Sequence, residues 1–334
     1  MGPDTLRADL VLSGGGVKGI SLVGAVAALA DAGFTPQRIS GTSAGALVGA
    51  VLAAAAQRGP ITGEQLRELA FGIDYRSFLD PGPVERIPVL GPAWGVLSGE
   101  GIYRGDRLRG WVRDRLAELG VRTFADLALT DGSLPPERRY RLVVTVADVT
   151  LGRLVRLPWD YDGVYGLDPD AQSVADAVRA SVSIPFFYAP ATLTSAQGRT
   201  STLVDGGLLS SFPIDSLDRT DGLEPRWPTF GVTLLPNLPG GNEEVIPALR
   251  PLHALGGPTL LEQVVTTVLV GRDQAYLSQP WVSARTIRVD STDVGVLDFD
   301  LSTQQKRVLY DAGFTAAEQF LGGWDFPEYV RRFR

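Results

Sequence analysis

A serine stands between glycines in G-T-S-A-G (41–45), where a short apolar strand pattern gives way to a helix pattern. That junction is the setting of a nucleophile elbow. Gly41 and Gly45 allow a tight turn and close strand–helix packing, and the turn exposes the Ser43 hydroxyl above a sheet. The helix that starts at Ala44 adds amide donors and a dipole that favours developing negative charge. The alternative is a small-residue helix start in which Thr42 or Ser43 is only a cap.

Upstream, S-G-G-G-V-K-G (13–19) follows an apolar strand pattern and opens another helix. In outline this fits a dinucleotide fingerprint or an anion cradle. The segment is no Walker A motif, because the Lys-Ser/Thr ending is missing, and the second strand ends in Ser40-Gly41-Thr42-Ser43 where a dinucleotide fold wants an acid. The same loop can serve as an oxyanion hole, with the amides of Gly15 and Gly16 aimed at a tetrahedral oxyanion. Each such donor is worth roughly 10²–10³ in rate. Lys18 either holds the loop and supports that charge or is an exposed helix lysine.

A serine nucleophile needs a base. In T-L-V-D-G-G (202–207), Asp205 ends a strand pattern just before Gly206 and Gly207, and in a parallel sheet that end is where sites assemble. An aspartate in hydrogen-bond reach of Ser43 Oγ can take its proton without an imidazole. Asp148 also ends a strand pattern, but the following Leu151-Gly152 reads as a hairpin turn, which makes it structural. The chain has a single histidine, His253. Ser43, Asp205 and His253 follow the chain order of an α/β-hydrolase triad, although that fold places several strands before its elbow and only two precede Ser43.

The elements that must position these residues begin as strand, helix, strand, helix within the first 60 residues, the mark of a parallel sheet with right-handed crossovers. Residues 71–103 are rich in Gly, Pro and aromatics without a clean period. Phe78, Trp94 and Tyr103 there could form a lid or an acyl groove, or simply pack. A helix over 104–120 follows, whose Arg104, Arg107, Arg109 and Arg113 read as a solvated face. Two strands turn at Gly152; a helix over 173–185 stops at Pro185; strands end at 207, 236 and 290; helices are expected over 258–277 and 302–322. The pattern predicts one α/β domain spanning 1–334, with a helical extension at about 258–334 packed on it.

With 44% hydrophobic and 21% charged residues the 334-residue chain has the composition of a soluble globular protein. A net charge of −7 argues against a nucleic-acid partner. The absence of cysteine excludes thiol chemistry and disulfides, and one histidine leaves no His-rich zinc site. The N-terminus has no signal-peptide pattern, and its longest apolar run, 44–56, is too short to span a bilayer, so a cytoplasmic protein is expected.

Taken in order, G-G-G-V-K-G, G-T-S-A-G, S-V-S-I-P-F-F-Y-A-P (181–190) and V-D-G-G (204–207) resemble the motif set of the patatin-like phospholipases. G-I-Y-R-G-D-R-L-R-G-W-V (101–112), R-W-P-T-F-G-V-T-L-L-P (226–236) and the segment 299–320 extend the resemblance over most of the chain. It implies a three-layer α/β/α fold with a mainly parallel sheet and hydrolysis of lipid or phospholipid acyl esters by a Ser–Asp dyad. Ser43 would then be the nucleophile and Asp205 the base. Gly14, Gly15 and Gly16, with Lys18 and Ala44, would form the oxyanion hole. Neither a cofactor nor a metal is implied, and membrane contact would be peripheral. A Ser43–Asp205–His253 esterase, a nucleotide-binding protein and a catalytically silent binding module are the competing readings.

Overall fold

The computed structural model describes residues 6–82, 101–234, 274–291 and 294–334. Its centre is an eight-stranded mixed sheet. Strands β1 (Leu6–Leu12), β2 (Phe34–Thr42), β3 (Leu142–Asp148), β7 (Thr229–Leu234) and β8 (Thr286–Val289) form a parallel core in the order β3-β2-β1-β7-β8. Strands β4 (Arg153–Leu157), β5 (Ala191–Thr194) and β6 (Thr200–Asp205) are added antiparallel.

The parallel core carries near-continuous apolar runs because both of its faces are covered. β3 is buried at every position, and its period of two sends Val144 and Val146 to one core and Val143 to the other. The larger core lies under helices α1 (Gly19–Asp31), α2 (Ala44–Ala55), α3 (Gly63–Gly72), α4 (Asp106–Glu118), α5 (Val174–Ser181) and α6 (Thr303–Leu321). On the opposite face Val11 and Val143 meet Phe212, Ile214, Leu217, Leu277 and Val282, from the segment after β6 and the short helices Gln274–Leu277 and Pro280–Ser283. A last helix, α7 (Phe326–Phe333), closes the chain. α6 lies flush on α1: a Cβ on Gly313 would fall 1.9 Å from Ser21 O, and one on Gly24 2.1 Å from Tyr310 O.

Asp205 therefore does not end a parallel strand, as its position in the sequence suggested. β6 returns from β5 through a hairpin and runs antiparallel to β3. The reversal is what brings it to Ser43. β4 occupies one edge of β3 over Val144–Asp148. β2 pairs with Leu142–Thr145 and β6 with Val146–Asp148, so both take the other edge. They approach from opposite directions, and their carboxyl ends meet head-on where Thr42 lies opposite Thr145 and Asp205 opposite Val146.

Candidate active site

Ser43 sits at this meeting point. It has φ 52° and ψ −119°, a conformation that costs a non-glycine residue about 1–3 kcal/mol and persists only where the surroundings impose it. The imposition is backbone on backbone. A Cβ on Gly45 would lie 2.2 Å from Leu12 O, and one on Gly41 2.3 Å from Gly45 O, so the first turn of α2 rests directly on the ends of β1 and β2. Ser43 is the N-cap of α2, yet its side chain makes no capping hydrogen bond. Its side chain instead acts on the Asp205 carboxyl, drawing the pKa of that group down.

Asp205 is 1% exposed. Its Oδ1 accepts the Gly207 N–H at 2.8 Å. Burial raises its pKa to about 7, against the opposing pull of the hydrogen bonds from Ser43 and Gly207. Gly206 starts the 3₁₀ turn after Asp205, and a Cβ there would stand 2.5 Å from Thr145 O. The carboxyl thus interacts with the Ser43 side chain, titrates near neutrality and is followed by a position that a side chain larger than glycine cannot occupy.

The glycine loop passes over the same point: a Cβ on Gly14 would be 3.3 Å from Ser43 Cβ. Gly14 itself donates its N–H to Ser211 O at 3.1 Å, so that amide is already engaged. Gly16 has φ 57°, a left-handed conformation, and the adjoining Val17 donates to Val296 O at 3.1 Å. Ala44 opens α2, whose first amides have no partner within the helix. Lys18 is 1% exposed, which removes the exposed-lysine alternative. Among the described residues no group of three or more His, Asp or Glu side chains could hold a metal ion.

Sequence reasoning did not read the role of the segment that frames both residues. Ser181, the last residue of α5, accepts the Ser43 N–H on its hydroxyl at 2.8 Å, and Ser183 accepts the Asp205 N–H on its carbonyl at 2.9 Å. Arg179, a buried residue, fastens the segment through its guanidinium to Ser183 Oγ, Ala189 O and Arg104 O. Further along, Phe186 has φ 67°, a second strained non-glycine residue, and Phe187 stacks on Phe299 at 5.3 Å. Two serines and a proline after a helix have no spacing of their own that announces this role. The carrying signal was the resemblance of 181–190, which implied that 183–190 packs near the site and shapes the acyl groove but left its exact role unread.

The remaining expectations divide. Phe78 is buried and packs edge-on against Trp111, so it belongs to the core and forms no lid. Tyr103 is half-buried and lies against Phe187 and Tyr188. Asp148 holds the β3–β4 turn by accepting Leu151 N–H and Tyr165 O–H, each at 2.8 Å. Arg107, Arg109 and Arg113 are exposed along α4 and Arg104 just before it, with Arg104, Arg109 and Arg113 paired to Asp106, Asp176 and Asp114. His253 and Trp94 lie outside the described residues, as does most of the helix expected over 258–277. No described helix is long and apolar enough to cross a membrane.

Comparison with known proteins adds to this geometry. The sequence model of the family described as patatin-like phospholipase matches residues 10–218. The chain is 34% identical over 322 residues to the uncharacterized Bacillus subtilis protein YqhO, covering 95% of this chain and 99% of that one. It is 29% identical over 213 residues to an uncharacterized NTE family protein of Mycobacterium bovis, 64% of this chain but only 46% of the relative. Among solved structures, VipD from Legionella pneumophila shares the fold at 19% identity and a TM-score of 0.50, covering 96% of this chain and 67% of that one.

Proposed function

The chain belongs to the patatin-like phospholipase family, and from that premise we propose that it is a lipid acyl hydrolase working through a Ser43–Asp205 dyad. The observation that carries the reading is a wholly buried carboxylate that interacts with the Ser43 side chain and whose pKa burial raises to about 7. A general base is most effective when its pKa lies near the working pH. A triad would interpose an imidazole between the two groups, and the interaction of the Ser43 side chain with the Asp205 carboxyl favours the dyad.

In this reading Asp205 takes the proton from Ser43 Oγ as the oxygen attacks the acyl carbonyl carbon of a lipid ester. The carbonyl oxygen becomes the oxyanion of a tetrahedral intermediate, held by the amides of Gly15, Gly16 and Ala44. Collapse breaks the bond to the leaving alcohol, which departs with the proton held on Asp205, and leaves an acyl ester on Ser43. Water then gives a proton to Asp205 and attacks the acyl-enzyme; the second collapse returns that proton to Ser43 and frees the carboxylic acid. Lys18, buried behind the loop, would support the charge that develops there. The substrates are lipid or phospholipid acyl esters, met at a membrane surface by transient contact.

The test is release of fatty acid from phosphatidylcholine vesicles and from a soluble nitrophenyl ester series. The reading expects turnover that rises with acyl length and falls by roughly 10²–10⁴ in Asp205→Asn. Turnover unchanged in Asp205→Asn, or no hydrolysis of any ester by the wild type, would overturn it.

A further inference from the structure

We propose that Ser181 is a positioning residue for this hydrolysis, an inference that rests on reading Ser43 as the nucleophile. Ser181 is fully buried at the end of α5, on an element distant in sequence from both members of the dyad. Its hydroxyl has one proton, which it donates to Thr145 O at 2.7 Å. Its lone pairs then face the Ser43 N–H, a pure donor, at 2.8 Å. A small side chain that accepts from an amide and donates to a carbonyl at once must be a hydroxyl.

Two consequences follow. First, the Ser43 amide is committed. The nucleophile's own N–H is thereby withheld from the oxyanion, and the work falls to Ala44 and the glycine loop. Second, the Ser181 bond holds the amide of the strained residue to a fixed landmark. Thr145 O lies beside Gly206, the residue after Asp205, and Thr145 Oγ1 donates to Gly41 O at 3.2 Å and pairs with Thr42 Oγ1. Ser181 therefore references the nucleophile to the point on β3 where β2 and β6 meet. Ser183, two residues on, references the base through the Asp205 N–H. One short segment, held by Arg179, sets the separation of the two reacting side chains.

Removing the hydroxyl leaves the Ser43 amide and Thr145 O without their shared partner, and the elbow relaxes away from φ 52°. A displacement on the order of 1 Å at a reacting group costs about 10²-fold in rate. Ser181→Ala is expected to lower kcat on a nitrophenyl ester by about 10- to 100-fold and to slow fluorophosphonate labelling of Ser43 in parallel. KM should stay within about twofold, because the acyl groove is untouched. Ser181→Thr, which keeps the hydroxyl, should recover most of the rate. A folded Ser181→Ala with wild-type kcat overturns the proposal, as does a loss confined to KM or one that Ser181→Thr fails to rescue. If Ser181→Ala does not fold, Ser181→Cys decides: its sulfur is a poor acceptor of similar size, so a slowed enzyme supports the role and a wild-type rate refutes it. A wild type inert toward both ester and probe would instead sink the hydrolase reading itself.

Discussion

At the scale of single residues the account turns on Asp205, whose environment is costly and useful for the same reason. Its ordinary pKa of 3.8 becomes about 7 because burial penalises the carboxylate more than the bonds from Ser43 and Gly207 repay. The folded protein thus holds a proton that the unfolded chain has lost between pH 3.8 and 7. Stability falls as pH rises through that window and levels off above 7, by an amount on the order of 4 kcal/mol. Under the proposed dyad activity runs the other way, because a general base must be ionised. We predict kcat/KM rising with pH to a plateau with a midpoint near 7, measured on a soluble ester. We also predict that Asp205→Asn is more stable than the wild type at pH 8 by urea denaturation, with the advantage shrinking toward pH 4. A residue that loses function and gains stability when neutralised is expected where a site stores an unfavourable charge.

At the scale of elements the site depends on two strands ending against each other and on a helix seated without clearance. Gly45→Ala would put a methyl group 2.2 Å from Leu12 O, a contact with backbone that no rotamer can relieve. It should destabilise the protein by at least about 2 kcal/mol and abolish hydrolysis, whereas Gly72→Ala, with open space around its Cβ position, should leave activity intact. The elbow was legible in sequence because its chemistry is local: strand, glycine, serine, glycine, helix in nine residues. Asp205 was legible as a residue, but the direction of its strand was not. β5 is four residues of alternating half-burial, A-T-L-T, too short and too polar to register as a strand, and without it the hairpin that reverses β6 is invisible. Ser181 and Ser183 act through one hydroxyl and one backbone carbonyl across long sequence separations, and Val296 through a carbonyl. Main-chain acceptors leave no trace in residue type.

At the scale of the molecule, residues beyond the 10–218 match return to support the site. Val296 holds the glycine loop through the Val17 N–H, Phe299 stacks on Phe187, and α6 lies against α1 behind the loop. The far end is closed by Asp218, whose carboxylate receives Arg285 at 2.6 and 2.8 Å and Arg334 at 2.6 Å. Both guanidinium groups also face Trp281 and Tyr329. The Arg285 side chain is 2% exposed, so removing its partner strands a buried cation. Asp218→Ala should cost about 3–5 kcal/mol, read as a Tm lower by on the order of 10 °C, with kcat unchanged well below that temperature. A small change in Tm would mean that water enters and solvates Arg285 when the carboxylate leaves.

The central claim is that Ser43 is activated by Asp205 and by no histidine. Its most direct test is covalent labelling by a fluorophosphonate, whose phosphoryl oxygen occupies the place of the oxyanion and so reports nucleophile and hole together. Wild type, Ser43→Ala, Asp205→Asn and His253→Ala would be compared after folding is verified by circular dichroism. The account predicts labelling of the wild type and of His253→Ala at equal rates, and none in Ser43→Ala or Asp205→Asn. Labelling lost in a folded His253→Ala, or kept in Asp205→Asn, would contradict it.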